Sequence, residues 1–224
     1  RKRPMYKVVL CRALHPTAMA LLEARPDIRL TVLTKEFRGP PLQAELAANI
    51  ADADGIMVGL EKVDAGLLAQ AAKLRVVSRF GVGFDTLDIP GCTRQGVTVG
   101  VVNGANDLSV AEHAMMLMLA VARRTVEYDA SVRAGTWMIQ HGRRMHELSE
   151  RTVLVVGYGR IGTRVAKLCT AFGMRVMVHD PNFPTPRIAA DGHIPAPDLM
   201  AALADADVVT LHCPLEAATR GMVD

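Results

Sequence analysis

The stretch Val153–Leu168, VLVVGYGRIGTRVAKL, decides how the chain is read. Its opening VLVV has no polar break and predicts a parallel strand buried on both faces. Gly157-Tyr158-Gly159-Arg160-Ile161-Gly162 follows as G-x-G-x-x-G, and TRVAKLCTAFG predicts a helix that stops at Gly173. In a strand, turn and helix of this kind the first glycine makes the tight turn. The second lets backbone approach a pyrophosphate, and the third lets helix and strand pack closely. The first amides of the helix then face the anion. The next predicted strand, RVMVHD, ends at Asp180, about 20 residues beyond Gly157, where an acidic side chain meets a ribose diol. In that context the motif predicts a dinucleotide site. Pro181 and Asn182 follow with no Arg or Lys to meet a 2′-phosphate, so NAD is expected over NADP; Arg187 is the one nearby cation that argues otherwise.

Before this motif lie 152 residues in which short β-branched runs alternate with alanine- and leucine-rich stretches. In order they are YKVVL, TAMALLEA, RLTVL, PLQAELAAN, GIMVG, DAGLLAQAA, RVVSR, IPGCTRQ and VTVGVV. This is the βα alternation of a parallel sheet, complete by about residue 102. Ser109-Val-Ala-Glu112 then has the pattern of a capping box opening the helix AEHAMMLMLAVARR. The helix is apolar on nearly every side, which predicts an interior position and a buried Leu117 whose truncation to Ala costs about 2 to 5 kcal/mol. Its methionines read as core filler. Tyr128 to Arg151 is polar, carries the only tryptophan, Trp137, and reads as a connection to a new sheet.

The totals set limits on function. Half of the 224 residues are apolar, ample for a buried core. The net charge of +3 is matched by Arg1, Lys2 and Arg3 alone, so no basic face for nucleic acid is expected. Cys11, Cys92, Cys169 and Cys213 are widely spread with no C-x-x-C, which predicts neither a disulfide framework nor a zinc site and fits reduced thiols in the cytoplasm. Neither a signal peptide nor a membrane span is predicted, and a soluble protein is expected. The chain begins with Arg rather than Met, so further residues are expected before it.

Four separated signatures, SRFGVGFDTLD, NGANDLSVAEHAMMLMLAVARR, VLVVGYGRIG and LHCPLEAATRGMV, resemble the D-isomer-specific 2-hydroxyacid dehydrogenases, among them phosphoglycerate dehydrogenase, hydroxypyruvate and glyoxylate reductases and formate dehydrogenase. The resemblance implies an α/β protein with a flavodoxin-like substrate domain over residues 1–104. Residues 105–224 are then the crossing helix and first half of a doubly wound Rossmann domain that binds NAD. It implies that the amides of Gly81-Val82-Gly83 hold the substrate carboxylate, with Val82 and Gly83 as the contacts. Val110 would pass near the nicotinamide. Arg160 and Ile161 would present backbone amides to the pyrophosphate beside Gly157, Gly159 and Gly162, and Cys213 and Pro214 would line the adenosine half of the cofactor. Glu112 beside His113 is explained by the capping box, and Cys213 as a lining residue rather than a nucleophile.

Hydride transfer from a 2-hydroxy acid also needs a base and a cation. In the family these are a histidine with an acidic partner and an arginine, all downstream of LHCPL, and His212 and Arg220 match neither motif. The catalytic set is therefore expected beyond residue 224. Only VLVVG, RVMVHD and DVVTLHC read as strands after residue 152, one mononucleotide-binding half, which predicts that the free side of VLVV is an open edge. The expected function is NAD-dependent hydride transfer at C2 of a small 2-hydroxy or 2-oxo acid, in a homodimer without nucleic-acid or membrane partners. An NAD-sensing protein without catalysis and a formate dehydrogenase are the alternatives.

Overall fold

The structure, a computed structural model, describes residues 5–33, 40–136 and 144–223. Trp137 and His141 lie outside the described residues. The chain divides into two compact units, Arg1–Ala105 and Asn106–Asp224, each built on a parallel sheet.

In the first unit the strands are β1 (Tyr6–Leu10), β2 (Ile28–Val32), β3 (Gly55–Val58), β4 (Val76–Arg79) and β5 (Thr98–Val101), in spatial order β2-β1-β3-β4-β5. That is the flavodoxin-like order. The helices between them are α1 (Pro16–Glu23), α2 (Pro40–Asn49), α3 (Ala65–Ala69) and α4 (Ile89–Arg94). Because side chains alternate along a strand, Val9, Ile56, Val58 and Val77 point to one face. There they pack with Leu42 and Leu46 of α2, Leu67 and Leu68 of α3 and Cys92 of α4. Val8, Met57 and Val76 turn to the other face, where α1 buries no residue fully and a groove of about 530 Å³ remains. Asp64 and Asp88 start α3 and α4 by accepting from the amides of Leu67 and Gly91, each at 2.9 Å.

The second unit opens with α5 (Asp107–Ala122) and α6 (Thr125–Arg133). Then follow β6 (Thr152–Val156), α7 (Arg160–Ala171), β7 (Arg175–His179), α8 (Thr185–Ala190), β8 (Ile194–Pro195), α9 (Leu199–Asp205) and β9 (Val208–Leu211). Its sheet has the order β8-β7-β6-β9. The expectation of three strands with one side of VLVV open is corrected here. β8 is two residues long and contains a proline, so no alternating run marks it in the sequence. Because β8 takes the third place, VVTL becomes the fourth strand and pairs with the far side of β6, from Val153↔Val208 to Val156↔Leu211. β6 is buried at every position, and the outer strand on that side is β9.

α5 also departs from expectation. It starts at Asp107, two residues before Ser109, and its N-cap Asn106 makes no side-chain capping bond, so the capping box does not form. Only Asp107, Ala111 and Met115 are buried; Ala111 and Met115 pack in the core with Val165 and Cys169 of α7. Leu117, expected to be buried, is 50% exposed, because one face of an apolar helix suffices to meet α7. The expected cost therefore moves to Met115. Met115→Ala should destabilise by about 2 to 4 kcal/mol and Leu117→Ala by under about 1 kcal/mol, read from urea unfolding followed by circular dichroism. The start of the expected connection, Tyr128 to Arg133, is part of α6, a helix carried by its charges: Arg133 Nε donates to Asp129 at 2.8 Å one turn away. Arg124, at φ 51°, turns the chain sharply between α5 and α6.

α7 ends as its sequence predicts. Gly173 has φ +73°, its amide donates to the Thr170 carbonyl and the Met174 amide donates to that of Cys169, which together form a Schellman motif. Among the described residues no helix is long and apolar enough to cross a membrane.

Candidate cofactor-binding site

The three glycines after β6 do three different things. Gly157 has φ +92°, and a Cβ on it would lie 2.6 Å from the Cys213 amide nitrogen, so the turn presses against the chain leaving β9. A Cβ on Gly162 would lie 1.9 Å from the Gly157 carbonyl oxygen, so α7 starts in direct contact with the turn. A Cβ on Gly159 would meet nothing within 4 Å. The first and third glycines close the turn and the second leaves space above it.

Gly159 is also the N-cap of α7 and has no side chain with which to cap it. The first intrahelical bond runs from the Thr163 amide to the Gly159 carbonyl at 3.0 Å, and the amides of Arg160, Ile161 and Gly162 have no hydrogen-bond acceptor among the described residues. Such orphan donors at the positive end of a helix dipole favour an anion.

At the carboxyl ends of the strands this turn opens into a crevice of about 680 Å³. Gly157, Gly159, Asp180, Cys213 and Pro214 all line it, so five of the expected cofactor residues come together. His179, His212 and Met222 line it as well. Val110, Arg160, Ile161 and Gly162 are not among the lining side chains: Gly162 is buried under the turn, and Ile161 packs on the core of the unit. Val110 sits half-buried in the first turn of α5.

Asp180 does more than face the crevice. Its carboxylate accepts from the Tyr158 amide at 2.7 Å and from the Asn182 amide at 2.9 Å. It thereby fixes the glycine turn to the end of β7, a role that sequence reading missed. A carboxylate has about four lone-pair sites, so acceptor capacity remains for a diol.

Arg187 is not in this crevice. It lines a separate cleft of about 490 Å³ between α7 and α8, with Arg160, Arg164 and Lys167, and its guanidinium lies 5.5 Å from the centre of the Phe183 ring. Tyr158, the residue between the first two glycines, is fully buried against Phe183 and donates to Asp191 at 3.1 Å. Burial, and then Asp191, push its phenol up to about 12, so it stays a donor at neutral pH. In the crevice, burial lowers the pKa of His212, which holds its imidazole neutral; its Nε2 lies 2.9 Å from the Thr210 hydroxyl. No histidine lining the crevice is paired with a carboxylate among the described residues.

In the first unit the expected substrate loop follows β4. Gly81 and Val82 are half-buried and Gly83 is exposed. The amides of Val82 and Gly83 make no hydrogen bond among the described residues.

A turn with open space at Gly159, uncapped helix amides and a carboxylate at the end of the second strand fit a dinucleotide pyrophosphate and its ribose. Comparison with known proteins agrees. Residues 115–224 match the D-isomer specific 2-hydroxyacid dehydrogenase, NAD binding domain. The chain is 36% identical over 221 residues to a D-3-phosphoglycerate dehydrogenase of Methanocaldococcus jannaschii, covering 98% of this chain and 40% of that one. It is 33% identical to a glyoxylate reductase of Aeropyrum pernix, covering 99% of this chain and 66% of that protein. A D-lactate dehydrogenase of Aquifex aeolicus, solved in complex with NAD and lactic acid, superposes with a TM-score of 0.82 at 26% identity, over 96% of this chain and 63% of that one. The chain thus spans about two fifths of the phosphoglycerate dehydrogenase and about two thirds of the glyoxylate reductase. The cofactor of the second unit is NAD, and the chain belongs to the D-isomer specific 2-hydroxyacid dehydrogenase family.

Proposed function

We propose that the whole protein transfers a hydride between NAD and C2 of a small 2-hydroxy or 2-oxo acid, and that residues 1–224 supply its cofactor crevice and its carboxylate-binding loop. The observation that carries this is the conjunction of the open Gly159 turn, the uncapped start of α7 and Asp180 in one crevice. Bound NAD supplies the hydride acceptor. The chain's own part is to hold it: the amides of Arg160 to Gly162 neutralise the pyrophosphate, and Asp180 accepts from the ribose hydroxyls and repels a 2′-phosphate. Cys213 and Pro214 form the wall on which the adenosine rests. Val110 is assigned to the nicotinamide end, and the amides of Val82 and Gly83 to the substrate carboxylate. Among the described residues the crevice is lined by no cation and by no histidine paired with a carboxylate, and on this reading other parts of the whole protein provide the catalytic base and cation.

Residues 1–104 are proposed as the substrate domain and 105–224 as the cofactor domain. The exposed apolar residues of α5 and α6, Met116, Leu117, Val121 and Val126, support a homodimer built on this surface. The four free cysteines, three of them buried, support a reducing cytoplasmic setting.

The test is to give the full gene product NADH with glyoxylate, hydroxypyruvate, pyruvate and longer 2-oxo acids and follow nicotinamide absorbance. Turnover with at least one of them is expected, and none with residues 1–224 alone. NADH binding without turnover of any 2-oxo acid by the full product would replace this reading with that of an NAD sensor.

A further inference from the structure

We propose that Arg79 is a positioning residue for the substrate carboxylate, an inference that rests on Gly81–Gly83 being the carboxylate loop. Arg79 is the last residue of β4 and is only 7% exposed. Its Nε donates to the Gly83 carbonyl at 2.9 Å and its Nη1 to the Phe80 carbonyl at 3.0 Å. The Gly81 carbonyl is taken as well, by the Val102 amide at 3.0 Å, and the Gly81 amide returns to the Arg79 carbonyl at 2.9 Å. Three carbonyls of the loop are thus tied down, while the amides of Val82 and Gly83 have no acceptor among the described residues. A loop with three of its carbonyls occupied and two successive amides free is suited to receive an anion.

Charge leads to the same conclusion. Arg79 makes no ion pair with any carboxylate among the described residues. A buried guanidinium without a counter-charge is costly to keep, and an anion resting on the amides above it supplies that charge. The fork geometry explains why arginine stands here: two donors of one rigid plane reach the carbonyls of Phe80 and Gly83, three residues apart in the loop, which the single nitrogen of a lysine cannot do. Gly81 is fitted to the same group. It has φ +149°, and a Cβ on it would lie 3.4 Å from Nη1, so the loop lies directly on the guanidinium. An acidic group close to the loop is unfavourable for an anion. Asp85 Oδ1 stands 3.3 Å from where a Gly83 Cβ would be, and the Arg79 charge offsets it.

The experiment uses the full gene product, with the 2-oxo acid it reduces best, and compares Arg79→Met, Arg79→Lys and Gly83→Pro. Arg79→Met should raise KM for the 2-oxo acid about tenfold or more with a much smaller change in kcat, because the loss is of binding common to ground and transition states. Arg79→Lys, which keeps the charge and one donor, should recover part of that loss. The NADH affinity of both should match wild type, which a merely structural role for Arg79 would not guarantee alongside a raised KM. Unchanged KM in folded Arg79→Met overturns the proposal, as does an equal loss of NADH affinity. If Arg79→Met does not fold, Arg79→Lys decides alone, and a wild-type KM overturns it. Gly83→Pro deletes one of the two free amides and separates the two readings. A raised KM there with unchanged Arg79 variants defeats the role of Arg79 only, whereas unchanged KM in Gly83→Pro defeats the carboxylate loop itself.

Discussion

Gly162→Ala is expected to abolish measurable NADH binding and to destabilise the second unit by about 3 kcal/mol or more. The added methyl would stand 1.9 Å from the Gly157 carbonyl oxygen and 3.0 Å from its carbon. Both are backbone atoms of a turn that is itself held against Cys213 and His212, so neither partner can rotate away. Relief requires α7 to lift from β6. That movement carries the amides of Arg160 and Ile161 away from the pyrophosphate position and opens the packing of Val165 and Ala166, both fully buried. Thermal unfolding and an NADH titration on the same preparation check this. A variant that melts with the wild type and still binds would mean that the start of α7 does not lie on the turn.

The second large effect is at Asp180. Its carboxylate joins the Tyr158 and Asn182 amides, so Asp180→Ala leaves two donors without their charged acceptor and frees the glycine turn from the end of β7. A loss of about 1 to 3 kcal/mol of stability is expected, with a fall in NADH affinity of at least about tenfold. NADPH should be weakened far less, because the same substitution removes the charge that repels a 2′-phosphate. Asp180→Asn keeps an acceptor oxygen and should retain more stability than Asp180→Ala while losing the same discrimination. If both variants keep a wild-type preference for NADH, the specificity lies elsewhere in the crevice.

Much of this was legible from residue order. The nine elements of the first unit follow from its alternation of runs, and the strand, turn and helix around Gly157 from the glycine spacing. The rest depended on tertiary distances that the sequence does not carry. β8 has only Ile194 and Pro195, too short for periodicity, and without it the placement of β9 on the far side of β6 could not be deduced. The circumference of α5 reads as uniformly apolar, yet which face meets α7 is set by packing, with Met115 and Cys169 sulfurs 3.6 Å apart, and Leu117 is left outward. Asp180 was identified for its charge; its hold on Tyr158 follows from the β6 and β7 register, in which Val156 pairs with His179. Arg79 reads in the sequence as a lone arginine at the end of a strand, and its importance lies in the direction of two carbonyls, one and four residues away, which only the folded loop sets.

The central claim is that the crevice around Gly159 and Asp180 is built for NAD. Its most direct test is calorimetric titration of the full gene product with NADH and with NADPH, repeated on Gly159→Asp. The account predicts saturable NADH binding, NADPH weaker by at least about tenfold from charge repulsion at Asp180, and loss of both in Gly159→Asp, whose carboxylate would enter the space kept for the pyrophosphate. Equal or tighter binding of NADPH, or undiminished binding of NADH by Gly159→Asp, would contradict it.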